Sequence, residues 1–427
     1  MQLASRTCCL AFLLSVLLSG SSEAQIPGHP IAGYADRLSV QPGQVIRFMV
    51  SSEAPQYDAQ LVRLIHGDTS PRGPGYREQE LNGSFGGSYQ GRLQPLENGS
   101  SAVVADHTAL DLTGSFSLVA WIYPTTPDSG TQAIVSKWSA SDRSGYALCL
   151  EEDGSVGLRF GDGTREARVR TGASIPVYLR SEKAYPVGDP LHSSLWLLAA
   201  ATFDATTGIA TVYQLPGTAW PNHPAAGMAS AETGAHAVAA NDLALTIAAT
   251  PGLNGAAPSE HFNGKIEAPR IYDRVLSAEE ITGLAQGRIP PDPVAAWDFS
   301  LRMQTREVED TSGNDLHGHT RHFPKRAVTG HGWDGSEMNF KRAPGHYGAI
   351  HFHDDDLDDA GWTVSFEYAL PDTLKSGIYA ARLRAGQDED YIPFYVRPTA
   401  GTATSEVALL VPTFSYLAYA NFGLGGT

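Results

Sequence analysis

Apolar and polar residues alternate along much of this chain with the period of two that marks a β-strand. After the turn at Pro42 and Gly43, Val45, Arg47 and Met49 face one way and Ile46, Phe48 and Val50 the other. Residues 59–65, AQLVRLI, predict another strand. From about Ser101 the β pattern lengthens. Residues 116–123, 132–138, 145–150, 156–160, 195–203 and 209–213 read as strands, with turn residues at Glu152, Asp153 and Gly154 and along 204–208. Many short strands with regular turns predict a sandwich or jelly roll. The series closes with 262–266 and 270–276, then a small helix that Ser277 and Glu280 open as a capping box and Gly287 stops.

Residues 362–370, 377–384 and 390–396 predict three more strands. Three strands are too few for a core of their own. They are expected to pair with the strands of 31–96 in one Ig-like β-sandwich, into which the longer β series is inserted. Beyond a linker at 398–405, the run EVALLVP at 406–412 is continuously apolar, the pattern of a buried parallel strand. Such a strand needs βαβ partners, which this chain does not contain, so the chain is expected to break off inside a third, α/β domain.

Charge removes one class of function. Asp and Glu number 46 against 30 Lys and Arg, a formal net charge of −16, which repels phosphate backbones and argues against a nucleic-acid partner. The N-terminus adds a compartment. Arg6, an apolar stretch over 8–18 and small or polar residues to Ala24 have the order of a secretory signal peptide. Export to the periplasm or beyond is therefore expected, a cytoplasmic location being the alternative. The apolar stretch is too short to span a bilayer, and no membrane span is expected elsewhere. Two of the three cysteines, Cys8 and Cys9, lie in that segment. Cys149 alone permits neither an intramolecular disulfide nor a cysteine-based zinc site, and it reads as a small buried residue.

Several groups of residues could carry chemistry. His351 and His353 share a strand face and precede Asp354, Asp355, Asp356, Asp358 and Asp359, which reads either as a divalent-metal cluster or as an acidic turn. Asp310 to Asp315, DTSGND, reads as a Ca²⁺ loop or a plain turn, without the spacing of an EF-hand. Asn82 and Asn98 open glycosylation sequons, which matter only in a eukaryotic secretory host. No G-x-S-x-G elbow, Walker A loop, H-E-x-x-H or C-x-x-C occurs, and the terminal GLGG at 423–426 is a poor phosphate loop. Tyr416 and Tyr419 follow the apolar run, where functional groups collect in open α/β sheets. They read equally as a phenolate ligand of Fe³⁺ with its neighbour and as packing residues.

Two resemblances sharpen this picture. The pieces GSFSLVAWIYP, IVSKW, GYALCL, GLRFGDG, LLAAATFDATTGIATVYQ and FNGKIEAPRIYDRVLSAEEI, in that order over about 101–290, resemble a laminin-G/concanavalin-A-like jelly roll. AAWDF at 295–299 and DTSGNDLHG at 310–318 resemble the segment that usually opens such domains, yet they follow the closing helix. The jelly roll is expected to be completed by this permuted last segment. The wider set GYADRLSVQPGQVIRF, YDAQLVRLIHGDTSPRGPGYREQEL, WDFS, GWDGSEMNF, YGAIHFHDDDLDDAGW, LKSGIYAARLR, DEDYIPFYVRP and SYLAYAN, collinear from Gly33 to Asn421, resembles the large (beta) subunit family of N,N-dimethylformamidases.

That resemblance implies an amidohydrolase that cleaves a formamide C–N bond to amine and formate. It also implies a mononuclear Fe³⁺ held by two tyrosines and a glutamate in an amidotransferase-like C-terminal domain, a small partner subunit and homo-oligomerisation. Tyr419, in AYAN, is the implied iron ligand, with Tyr416 the less favoured choice; the other ligands are expected beyond Thr427, leaving this chain a fragment inactive alone. No iron ligand is implied in 351–359. The expected fold class is mainly β, with residues 1–24 a signal peptide, 31–100 and 343–398 the two parts of the Ig-like sandwich, 101–342 the jelly roll, and 399–427 the first strand of a truncated α/β catalytic domain. The alternative reading is an exported, non-catalytic module whose jelly roll binds glycan or protein, with Ca²⁺ as a possible ion there.

Overall fold

Alternation becomes two separate β cores. A computed structural model describes residues 30–68, 70–173, 195–217, 226–253 and 255–419; residues 1–24, read as a signal peptide, and the terminal GLGG lie outside the described residues. The chain divides into one unit of Glu97–Ala360 and another formed by what lies on either side, up to Leu96 and from Gly361.

The flanking unit is a sandwich of two sheets. One joins Ile31–Ala35, Val45–Ser52 and Val364–Ala369, all antiparallel. The other runs Ser39–Val40, Asp388–Val396, Gly377–Ala385, Gln56–His66 and Arg77–Leu81, with Gly87–Gln90 also paired to Gln56–His66. Alternation in Val45–Ser52 sends Ile46, Phe48 and Val50 inward. There Phe48 meets Phe366 at 5.0 Å and Phe394 at 5.8 Å between ring centroids, so residues more than 300 positions apart build one core. Close packing leaves no room for a side chain at Gly33, where a Cβ would lie 2.5 Å from Ile392 Cδ1.

The larger unit is a jelly roll. Its first sheet orders Glu166–Arg170, Val156–Asp162, Ser144–Leu150, Gln132–Ser136, Leu245–Ile247, Ser101–Val104, Gly318–Arg321 and Glu307–Asp310. The second, continuous with the first where Ala295–Asp298 pairs with Glu307–Asp310, orders Ala295–Asp298, Gly264–Tyr272, Phe116–Pro124, Leu197–Asp204, Ile209–Pro216 and Gly227–Glu232. Inward residues such as Leu118, Ile122, Leu148, Phe160, Phe203 and Trp297 fill the space between them. The late segment adds strands to both sheets. Ala295–Asp298 pairs with Gly264–Tyr272, and Gly318–Arg321 pairs with Ser101–Val104.

Helix Ala278–Ala285 packs Ile281 and Leu284 on the outer face of the second sheet, over Val119, Leu198 and Tyr272. Its capping box forms as read: Ser277 Oγ accepts from the Glu280 amide, and the Glu280 carboxylate accepts from the Ser277 amide at 2.8 Å. Arg274, hydrogen-bonded to the Glu280 carboxylate, and the Ser277 amide together hold that carboxyl down at about 2. Ser277→Ala is expected to destabilise this unit by about 1 kcal/mol, measured as a shift in its urea midpoint at unchanged slope.

Two expectations are corrected. The jelly roll does not end at 342 but runs to Ala360. Strand Ala349–Phe352 pairs with both Gly264–Tyr272 and Lys325–Val328 and buries Ile350 and Phe352 in the jelly-roll core. The two apolar residues alternate with His351 and His353, so the strand is legible in the sequence but not which core receives its apolar face. Second, residues 406–412 form no strand. Val407, Leu409 and Leu410 are 84%, 77% and 92% exposed. An apolar run becomes a buried strand only against neighbours that accept its hydrogen bonds, and it has none among the described residues.

Candidate functional site

The tyrosines singled out in the sequence lie on helix Thr413–Tyr419 rather than at a strand exit. Tyr416 is 55% exposed. Its nearest electrostatic consequence is at Tyr395, whose phenol is raised first by burial and then by Tyr416. The described residues include no group of three or more His, Cys, Asp or Glu side chains able to hold a metal. One exposed phenol without a carboxylate beside it does not make an iron site, so the residues described here do not by themselves fit the implied Fe³⁺.

His351 and His353 do share a face, with ring centroids 4.1 Å apart. Two of the five aspartates that follow already have partners. Asp356 accepts from Ser100 Oγ at 2.7 Å and lies 3.2 Å from His353 Nδ1. Asp358 pairs with Arg306 at 2.6 Å and with His322 Nδ1 at 2.9 Å. His351 is driven down to about 4, first by burial and then by His353, Lys265 and Lys325. The cluster thus ties strand ends together and presents no converging ligand set.

Asp310 is likewise saturated. Its carboxylate accepts from the amides of Ala296, Ser312 and Leu316 and from Ser312 Oγ at 2.7–3.0 Å. Any cation entering that turn would have to displace these four donors. Cys149 is fully buried, its Sγ 3.5 Å from Glu151 Oε1, and burial followed by the Glu151 charge pushes the thiol well up. A thiol held protonated is a packing residue, not a nucleophile.

On the outer face of the second jelly-roll sheet, His351 meets residues that no motif signalled. Tyr123 lies opposite Lys265, Lys265 opposite His351, and His351 opposite Lys325, one row across four strands. Trp196 adds a ring 5.4 Å from Tyr123. The Lys265 ammonium sits 4.7 Å over the Tyr123 ring and donates to Thr329 Oγ1 at 2.8 Å. One row further, the buried Glu267 carboxylate accepts from the His331 amide and lies 2.6 Å from its Nδ1. The His331 ring stacks on Trp121 at 4.3 Å. Alternation placed each residue on an outward face, but pairing alone aligned them.

Comparison with known proteins fits this architecture. Residues 97–282 match the family described as concanavalin A-like lectin/glucanases superfamily, and residues 325–427 match N,N-dimethylformamidase beta subunit-like, C-terminal. A putative carbohydrate binding protein from Bacteroides ovatus is similar at 13% identity over 69% of this chain and 91% of its own, with a TM-score of 0.35. The class defined is thus a β-sandwich protein carrying a concanavalin A-like domain. More particularly, the chain is similar over most of its length to proteins named N,N-dimethylformamidase beta subunit. It is 39% identical to that of Paracoccus aminophilus over 412 residues and 38% identical to that of an Alcaligenes species over 416, in each case 92% of this chain. It spans about half the length of these curated relatives, 52% of each.

Proposed function

We propose that this chain is the N-terminal half of a formamidase-type amidohydrolase large subunit, which hydrolyses a small amide to amine and formate when its catalytic half is present. The observation that supports the reading is identity of 38–39% along 92% of the chain to proteins named N,N-dimethylformamidase beta subunit. The exposed Val407, Leu409, Leu410 and Phe414 add to it, since apolar side chains in a row are stable when a further domain covers them. A partner subunit fits the relatives' designation as beta subunits, and export fits the signal-like residues 1–24. No helix among the described residues is long and apolar enough to cross a membrane.

In the complete protein Tyr419 is proposed as a ligand of Fe³⁺, with Tyr416 as the second choice. The remaining donors would come from outside the described residues. A ferric ion there would supply Lewis acidity toward an amide carbonyl. The full reading frame, expressed with iron and any partner subunit, is expected to show a tyrosinate-to-Fe³⁺ charge-transfer band and to release amine from a formamide. Tyr419→Phe should lose the band and most of the bound iron, whereas Tyr416→Phe should keep both. Iron content and spectrum unchanged in Tyr419→Phe would remove this ligand assignment. Absence of amidase activity in iron-loaded wild type would remove the function.

A further inference from the structure

The two sheets of the flanking sandwich leave a cavity of about 430 Å³ at one edge, where Gly87–Gln90 and Val364–Ala369 each pair on one side only among the described residues. Val50, Tyr57, Tyr89 and Val364 line it, and its polar side chains include Ser365 and Arg92. Tyr57 and Tyr89 stack there at 5.7 Å between ring centroids. Such a volume, with aromatic and aliphatic walls and a few polar groups, suits a small molecule.

Two groups at the cavity lack partners. Tyr57 is 3% exposed, yet its hydroxyl forms no hydrogen bond. In the same core Tyr89 and Tyr379 donate to the carbonyls of Phe85 and Lys375. Buried polar atoms are nearly always paired, and one that is not calls for a missing partner. Burial raises the Tyr57 phenol while Ser365 and Arg92 act against it, which places the hydroxyl on the side of the cavity that these two residues form. Ser365 Oγ is itself engaged by the Val50 amide at 3.1 Å and the Val50 carbonyl at 3.4 Å. Arg92 is the second group. It donates to Thr363 Oγ1 but forms no ion pair among the described residues, and no carboxylate lines the cavity. On a chain of formal charge −16 an arginine left in this way is unusual.

The rim that carries Arg92 is held in place. The Arg92 carbonyl accepts from the Ser52 amide at 3.0 Å, and the Gly91 amide donates to the Pro55 carbonyl at 2.9 Å. A Cβ at Gly91 would lie 1.8 Å from the Ala54 carbonyl oxygen, so only glycine lets the rim approach this closely. A site fixed beforehand loses less freedom when a ligand arrives.

We propose that this cavity binds a small carboxylate with a flat apolar body. The carboxylate accepts from the Arg92 guanidinium, whose planar fork matches it, and from the Tyr57 hydroxyl. The apolar body lies against Tyr89, Val50 and Val364. The site lies wholly within the flanking sandwich and does not depend on the amidase reading.

The test titrates the full chain with sodium benzoate and with benzamide, its neutral isostere, at constant ionic strength, followed by saturation-transfer NMR. Wild type is expected to bind benzoate saturably, with a Kd of about 1 mM or tighter, and benzamide about tenfold more weakly. Arg92→Gln and Tyr57→Phe are each expected to weaken benzoate about tenfold, the scale of one hydrogen bond to a charged group. Melting without ligand separates a missing partner from a structural role. Loss of an unpartnered hydroxyl strands no other group, so Tyr57→Phe should melt no lower than wild type. No saturable benzoate binding, benzamide bound as tightly as benzoate, or unchanged benzoate affinity in either variant would overturn the site. A lower melting temperature for Tyr57→Phe would overturn it too, since the hydroxyl would then have a partner within the chain.

Discussion

Phe48→Ala is expected to cost the flanking sandwich about 3–5 kcal/mol, the scale of emptying a buried aromatic site. Phe48 is fully buried. Its ring touches Phe85 and, across the long insertion, Phe366 and Phe394. The cavity therefore opens between strands that arrive from the two ends of the chain. Hydrogen exchange followed by peptide mapping should show residues 31–96 and 361–396 losing protection together, while 97–360 keep theirs. Loss confined to the N-terminal strands would show that the two parts do not share a core. Loss spreading evenly into 97–360 would show that the two units do not unfold separately.

The second large effect lies in the jelly roll. Arg159 is 4% exposed and donates to both oxygens of Glu260, with its guanidinium 5.4 Å from the Trp138 ring. Thr250 Oγ1 donates to the same carboxylate at 2.6 Å. Removing one partner is not symmetrical. Glu260 keeps 29% of its side chain in solvent, so after Arg159→Met water can reach it. Glu260→Ala instead strands a guanidinium that stays protonated. Glu260→Ala is expected to cost about 3–5 kcal/mol and Arg159→Met distinctly less.

The pair also predicts an acid response. Burial pushes the Glu260 carboxyl up, but its hydrogen bonds and charge interaction with Arg159 outweigh this and leave it below its ordinary value of 4.5. The folded state thus holds the proton less tightly than the unfolded chain. The stabilisation is fully present above about 4.5 and is lost as pH falls through the lower folded value. Urea midpoints measured from pH 6 to pH 3 should fall less steeply in Glu260→Gln than in wild type. Parallel slopes would contradict the assignment.

Local pattern carried the elements and the family. Phe48 and its neighbours declare a strand by alternation, Ser277 and Glu280 declare a helix start, and collinear segments declare the N,N-dimethylformamidase resemblance, because each signal spans only a few residues. The candidate sites stayed open in the sequence. The His351–Asp359 cluster read as a metal centre or an acidic turn, since composition does not show that Asp356 and Asp358 already have partners. Asp310 read as a Ca²⁺ ligand or a turn residue, since the donors from Ala296 and Leu316 lie outside the motif in sequence.

By itself, then, the sequence determined most strand and turn positions, the closing of the jelly roll by its late segment and the likeness to its relatives. These depend on covalent order and on periods of a few residues. Only tertiary structure decided which unit takes Ala349–Phe352, why residues 406–412 stay exposed, and that Tyr123, Lys265, His351 and Lys325 form one row. Strand pairing sets those outcomes, and register between distant strands is fixed by the packing of both faces together rather than by any segment alone.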